Sequence, residues 1–272
     1  LVFLLNGRKN RRFLCKFVHY NYNDIMPMTD TENAPHISVG DIDCNNNGEY
    51  SGTKVVTILT KMPISFNEVS FLRGAAINMV GDTDVLFHDH NDTGFRYSYP
   101  LIQYKIINGN AAIVAIDRGA EIINRILPFM NSEIRIGQRS SVFTLENVIT
   151  DYSSVAISEE MHSYMIHRWL PLNQSNYSEY KNLDHLDLRV EMLERLMVGN
   201  ILSCAKGLGI FISGTIRVDI IDIRTIRQYQ YKNVQMLGFD VTFRTNVLLP
   251  DNIGLGKGVS LGFGTLNAKN NI

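Results

Sequence analysis

His88 and His90 stand two residues apart in the polar run Phe87 to Asn91, and Tyr97 follows seven residues after His90. In extended backbone, residues i and i+2 project from the same side, so both imidazoles can face one group. An imidazole of unperturbed pKa about 6.5 gives or takes a proton near neutral pH. A tyrosine hydroxyl can donate a hydrogen bond but is a poor base, because its unperturbed pKa is about 10. Three readings fit these residues. They are an acid/base pair, the opening of a metal site, or a solvated loop, the default for a polar, turn-rich stretch. The metal reading rests on His88-x-His90-x-Asp92, but Thr93 stands where the pattern needs its next histidine. The other five histidines are scattered, and a metal needs three or four ligands.

A second candidate lies near the end of the chain, where Gly254, Gly256, Gly258, Gly262 and Gly264 surround Lys257. Glycine reaches φ > 0 and lets backbone approach another molecule closely. Exposed N–H donors beside one cation suit a phosphate backbone. A Walker A loop is excluded, because it needs Gly-Lys followed by Ser or Thr and Gly258 follows Lys257 here. Val259, Leu261, Phe263 and Leu266 interleave with the glycines, which predicts an ordered segment closing the fold. A loop that only packs two units together is the alternative. Basic residues available to a nucleic acid include Arg73, Arg96, Arg168, Arg217, Arg224, Arg227, Lys232 and Arg244. Ile223 to Lys232 interleaves three cations with Tyr229 and Tyr231 at a predicted hairpin tip. Such a tip grips phosphates, stacks on bases, or is simply a solvated turn. His162 and His167 are five apart on one predicted strand and read as structural. Trp169 reads as core or an interface anchor.

The 272 residues suffice for one large domain or two small ones, and 45% are hydrophobic. A formal net charge of −1 argues against a strongly basic nucleic-acid binder, although local charge decides such binding. Cys15, Cys44 and Cys204 have no metal-ligand spacing, which fits a reducing, cytoplasmic setting. No run approaches the ~20 apolar residues of a membrane span, so no membrane partner is expected. The apolar start at Leu1 precedes its basic residues, the wrong order for a secretory signal. Met26 or Met28 is a candidate translation start.

Residues 1–53 read as an N-terminal extension of low order, outside the main core. The segment 54–150 reads as one domain. Val55 to Thr60 forms a strand, and Ser65 to Glu68 has capping-box spacing. A helix follows with Val69, Leu72, Ala76 and Met79 or Val80 inward, ending near Gly81. Tyr97 to Ile107 and Ala111 to Ile116 form a hairpin about Asn108-Gly109. Glu121 to Phe129 is a helix, and Glu133 to Ile136 a fourth strand. This β-α-β-β-α-β order predicts an α+β, ferredoxin-like unit. The segment 151–272 reads as a looser second copy, joined near 140–160. It has a strand at Met161 to Leu170, an amphipathic helix at Leu186 to Ala205, long β runs over 210–223 and 228–248, and the glycine-rich loop.

Tandem ferredoxin-like units with a C-terminal glycine-rich loop resemble the RAMP superfamily of CRISPR-associated proteins. Within it, the chain resembles the sixth Cas family, endoribonucleases that cut CRISPR precursor RNA at each repeat. Phe71 to Ala76, Phe87 to Asn91 with Phe95 to Lys105, and Gly254 to Leu266 carry the resemblance, which covers about 54–266. It implies cleavage without metal or cofactor, by attack of the RNA's own 2′-hydroxyl, leaving a 2′,3′-cyclic phosphate and a 5′-hydroxyl. A histidine after the first helix is the usual catalytic residue. His90 then becomes the principal acid/base residue, with His88 and Tyr97 sharing or supporting the role. Gly254, Gly256, Lys257, Gly258, Gly262, Gly264, Arg73, Arg96, Arg227 and Lys232 become RNA contacts. The expected partner is CRISPR repeat RNA, with other Cas proteins in an effector complex as a further possibility, for a monomer or homodimer. A catalytically silent RNA-binding RAMP subunit is the alternative function.

Overall fold

The computed structural model describes residues 52–80, 99–121 and 123–269, and the backbone of 36–39. Eleven strands and five α-helices are found among them. In chain order the first half holds β1 (His36–Val39), β2 (Thr53–Pro63), α1 (Val69–Val80), β3 (Ile102–Ile107), β4 (Asn110–Ile116), α2 (Arg118–Glu121), α3 (Ile123–Ile126), β5 (Glu133–Ile136), β6 (Arg139–Val142) and β7 (Leu145–Ser153). The second half holds β8 (Ala156–Trp169), α4 (Gln174–Asn182), α5 (Leu186–Gly207), β9 (Val218–Tyr231), β10 (Val234–Leu248) and β11 (Thr265–Ala268).

The two main sheets share one plan. The first runs β1-β7-β2-β4-β3, and the second runs β11-β8-β10-β9. Setting aside the parallel edge strand β1, each places its own fourth strand beside its first, then its third, then its second. This is the ferredoxin-like arrangement, and it occurs twice in tandem. In the second unit the glycine-rich segment, with one 3-10 turn at Val259–Leu261, stands where a second helix would be.

Local sequence explains the elements that hold the site. Ser65 donates its backbone N–H (2.9 Å) and its hydroxyl (2.7 Å) to Glu68, which starts the chain into α1. Arg139 of β6 closes on the same carboxylate at 2.6 Å. These donors hold the Glu68 pKa down to about 2. Val69, Leu72 and Ala76 are the buried face of α1. The turn between β3 and β4 places Asn108 and Gly109 at φ 51° and 81°, as a two-residue hairpin requires. Ala111 to Ile116 is fully buried because the first sheet is covered on both faces. Ala111, Ile113 and Ala115 pack with α1 and α3, while Val114 and Ile116 face the second unit's core. In that core, Met192, Leu193, Met197 and Ile201 of α5 meet Ile166, Trp169, Phe239, Val241 and Phe243.

Several expectations are corrected. Glu133–Ile136 pairs with β6 alone, in a two-stranded ribbon. The fourth strand of the first sheet is β7, a strand the sequence reading did not assign. Its half-buried, mixed-polarity sequence hides the alternation that marks a strand. The predicted helix 121–129 is instead α2, α3 and a 3-10 turn carrying Pro128, whose ring does not continue a helix. The second hairpin turns at Lys232-Asn233, so Arg224 and Arg227 lie along β9 and only Lys232 is at the tip. The β run expected from 210 begins at Val218.

Candidate functional site

The glycine-rich segment folds back on itself. Leu255 N–H donates to Gly264 O (2.9 Å) and Leu266 N–H to Ile253 O (2.8 Å), closing a narrow ladder. Ile253, Leu255, Val259, Phe263 and Leu266 turn inward and are buried. Packing accounts for the glycines one at a time. A Cβ on Gly264 would lie 1.9 Å from Leu255 O, and one on Gly258 2.7 Å from the Phe263 ring. One on Gly254 would meet Val259 and the Lys105 ammonium, the latter at 2.8 Å. The Gly256 and Gly258 N–H groups have no acceptor among the described residues, and both flank the half-buried Lys257.

Beneath this segment lies Lys105 of β3, a fully buried lysine whose Nζ donates to Val259 O at 3.2 Å. Burial, helped by the charge of Arg168, pulls its pKa down to about 7. Beside it the Tyr99 hydroxyl donates to Gly254 O at 2.8 Å. Gly207, at the end of α5, gives Tyr99 room, since a Cβ there would lie 2.1 Å from the Tyr99 Cβ.

The seam between the units is lined by rings and cations. Phe263 of the glycine-rich segment makes edge contacts with Phe66 (4.8 Å between centroids), Tyr229 (5.7 Å) and Tyr231 (5.7 Å). The Arg168 guanidinium sits 4.6 Å over the Phe66 ring, and Lys232 Nζ 5.7 Å from Tyr231. Arg227, Tyr229 and Tyr231 alternate along β9 and so share one face. The result is a strip of aromatic faces and cations crossing from one unit to the other.

A family model of the Cas6b N-terminal domain matches residues 52–153, and one of the Cas6b C-terminal domain matches 156–269. The chain belongs to the Cas6b family. A solved structure described as Cas6b is 31% identical at a TM-score of 0.73, covering 80% of this chain and 99% of that one. Another, described as the CRISPR RNA processing endoribonuclease Cas6b, is 28% identical at a TM-score of 0.62, with the same coverage. An uncharacterised protein of Methanocaldococcus jannaschii is 34% identical over 125 residues, which span 44% of this chain and 84% of that protein.

In this Cas6b chain the predicted site residues divide into three groups. His88, His90, Tyr97 and Arg96 lie outside the described residues. The described residues that flank them are Val80, the last of α1, and Tyr99, whose hydroxyl bonds the glycine-rich segment. Gly258 lies against Phe263 and Tyr231, Arg227 shares a face of β9 with Tyr229 and Tyr231, and Lys232 sits beside Tyr231, whereas Gly256 backs onto Trp169 and Asn200 and Lys257 is half-buried between the two glycines. Gly254, Gly262 and Gly264 serve the packing beneath the aromatic strip, and Arg73 on α1 is close enough to Tyr104 for its charge to act on that hydroxyl. Among the described residues no three His, Cys, Asp or Glu side chains converge as a metal site. No helix among them is long and apolar enough to cross a membrane.

Sequence reasoning missed Lys105, Phe66 and the ring-stacking role of Phe263. Lys105 falls in the strand run Ile102 to Ile107, between Tyr104 and Ile106. A lysine inside such a run was the available signal.

Proposed function

We propose that this Cas6b protein is an endoribonuclease that cuts CRISPR precursor RNA within its repeats, without a metal. The 2′-hydroxyl beside the scissile phosphate attacks the phosphorus, its proton goes to a base, and the 5′-oxygen leaves with a proton from an acid. The products are a 2′,3′-cyclic phosphate and a 5′-hydroxyl. His90 is the principal acid/base residue, with His88 and Tyr97 supporting it. Lys257 and the Gly256 and Gly258 N–H groups, with Arg227, Lys232 and Arg73, hold phosphates along the seam. Tyr231 and Tyr229 offer ring faces to unpaired bases.

The match of both Cas6b domain models along most of the chain carries this reading. A repeat RNA with a single 2′-deoxynucleotide at the cut site tests it. The all-ribose RNA is cleaved and yields a cyclic phosphate end, while the deoxy RNA binds equally well and stays whole. Tight binding of both with no cleavage identifies a silent RNA-binding subunit instead.

A further inference from the structure

Strand β8 is interrupted just before its end. On β10, Phe239 pairs with Trp169 and Val241 with Ile166, so His167 and Arg168 together oppose Asp240. This is a β-bulge, and Arg168 takes the left-handed conformation at φ 50°. That conformation costs an arginine of order 1 kcal/mol or more, and costs a glycine nothing. The fold holds it in place: Arg168 N–H donates to Asp240 at 2.7 Å, and Gly264 N–H donates to Arg168 O at 3.1 Å.

The side chain so displayed is not used for stability in the ordinary way. Among the described residues the Arg168 guanidinium has no carboxylate partner. The adjacent Asp240 carboxylate is committed to the Arg168 N–H and stands 4.0 Å from His167 Nδ1. Instead the guanidinium carbon sits 4.6 Å over the ring of Phe66 in the other unit. A cation–π contact over a ring face engages the face of the guanidinium region rather than its hydrogens, and among the described residues no acceptor takes the guanidinium N–H groups, which can therefore serve a bidentate acceptor. Its charge also acts on Lys105, His167 and Tyr229, which places it close to all three.

We infer that Arg168, turned out of β8 by the bulge and set over the Phe66 ring, is a phosphate-binding residue of the seam that fixes the register of single-stranded RNA between the two units. This rests on the RNA-binding reading above and names a contact that reading does not need. The left-handed backbone supplies an unusually clean test, because Arg168→Gly removes the guanidinium while relieving the backbone strain. The probe is a repeat RNA titrated at several salt concentrations against wild type, Arg168→Gly, Arg168→Lys and, as control, Arg195→Gln on α5.

Arg168→Gly should keep or raise the unfolding temperature and weaken RNA binding about tenfold or more. Its plot of log affinity against log salt should be shallower by roughly 0.7, the counterion released by one single-strand phosphate contact. Arg168→Lys should restore the slope but not the full affinity, since an ammonium keeps the charge and loses the planar fork. Arg195→Gln should match wild type. Unchanged affinity and slope in Arg168→Gly would overturn the inference while leaving RNA binding by the protein intact. A lowered unfolding temperature with unchanged binding would also overturn it, assigning the stack on Phe66 to stability alone. Failure of wild type to bind the RNA would instead sink the underlying reading.

Discussion

The Tyr99 hydroxyl donates to the carbonyl of Gly254, 155 residues away, at 2.8 Å. This bond ties β3's approach to the start of the glycine-rich segment. Tyr99 is the first described residue after the segment bearing His88 and His90, and Gly254 opens the glycine-rich segment. Burial raises the Tyr99 pKa well above that of a free tyrosine, so the hydroxyl keeps its proton and remains a donor.

Tyr99→Phe should therefore cost about 1 kcal/mol, the net worth of one lost hydrogen bond at a half-buried site. Single-turnover cleavage should fall several-fold while RNA affinity stays within twofold, because the change loosens the return of the histidine segment and touches no RNA contact. Urea unfolding and single-turnover kinetics on the same preparation read both quantities.

Lys105 gives a prediction with a definite sign. Its pKa is about 7 in the fold and about 10.4 in the unfolded chain. Between those values the unfolded state binds more protons, so this residue's contribution to stability rises with pH and is least favourable below 7. Lys105→Met keeps the stem and removes the titration. It should be more stable than wild type at pH 7 by on the order of 2 kcal/mol, after allowing for the lost bond to Val259. The difference should shrink steadily as pH approaches 10. Urea unfolding of both proteins from pH 7 to 10 measures it. A difference independent of pH would show that Lys105 is not held in the unfavourable state described.

Two glycines should respond in opposite directions. Gly264 has φ 60° and faces Leu255 O at 1.9 Å from any added Cβ, so Gly264→Ala must push backbone apart. A loss of about 3 kcal/mol or more, or no soluble protein, is expected. Gly199 lies inside α5 with nothing within 4 Å of an added Cβ. Gly199→Ala should gain about 0.5–1 kcal/mol from reduced unfolded-state entropy and better helix propensity. Thermal unfolding of the pair distinguishes glycines required by packing from one that is merely tolerated.

Much of the framework is legible in the residues. The Ser65–Glu68 cap, the inward face of α1 and the Asn108-Gly109 turn follow from local chemistry, and each is observed where its sequence places it. Strand β7 is not legible, because Leu145 to Ser153 is half-buried except at the exposed Glu146 and carries Glu146, Asn147 and Asp151 without alternation. Helix α4 is missed for a related reason. It is polar nearly all round, buries only Tyr180, and announces itself mainly through Asn173 accepting the Asn176 N–H at 2.8 Å. The candidate site divides the same way. Glycine spacing points to the segment at 254–264, but which amides stay open depends on how its ends pair. That Arg168 would turn left-handed is not encoded in its residue type. It arises because β8 and β10 fall out of register by one residue.

Metal-free acid/base cleavage by the histidine pair is read out by incubating a cognate repeat RNA in excess chelator with wild type and with His88→Ala/His90→Ala. Wild type should cut at one site and leave a 2′,3′-cyclic phosphate, and the double variant should bind the RNA but cut it roughly 100-fold or more slowly. Cleavage abolished by chelator in wild type, or undiminished in the double variant, would contradict it.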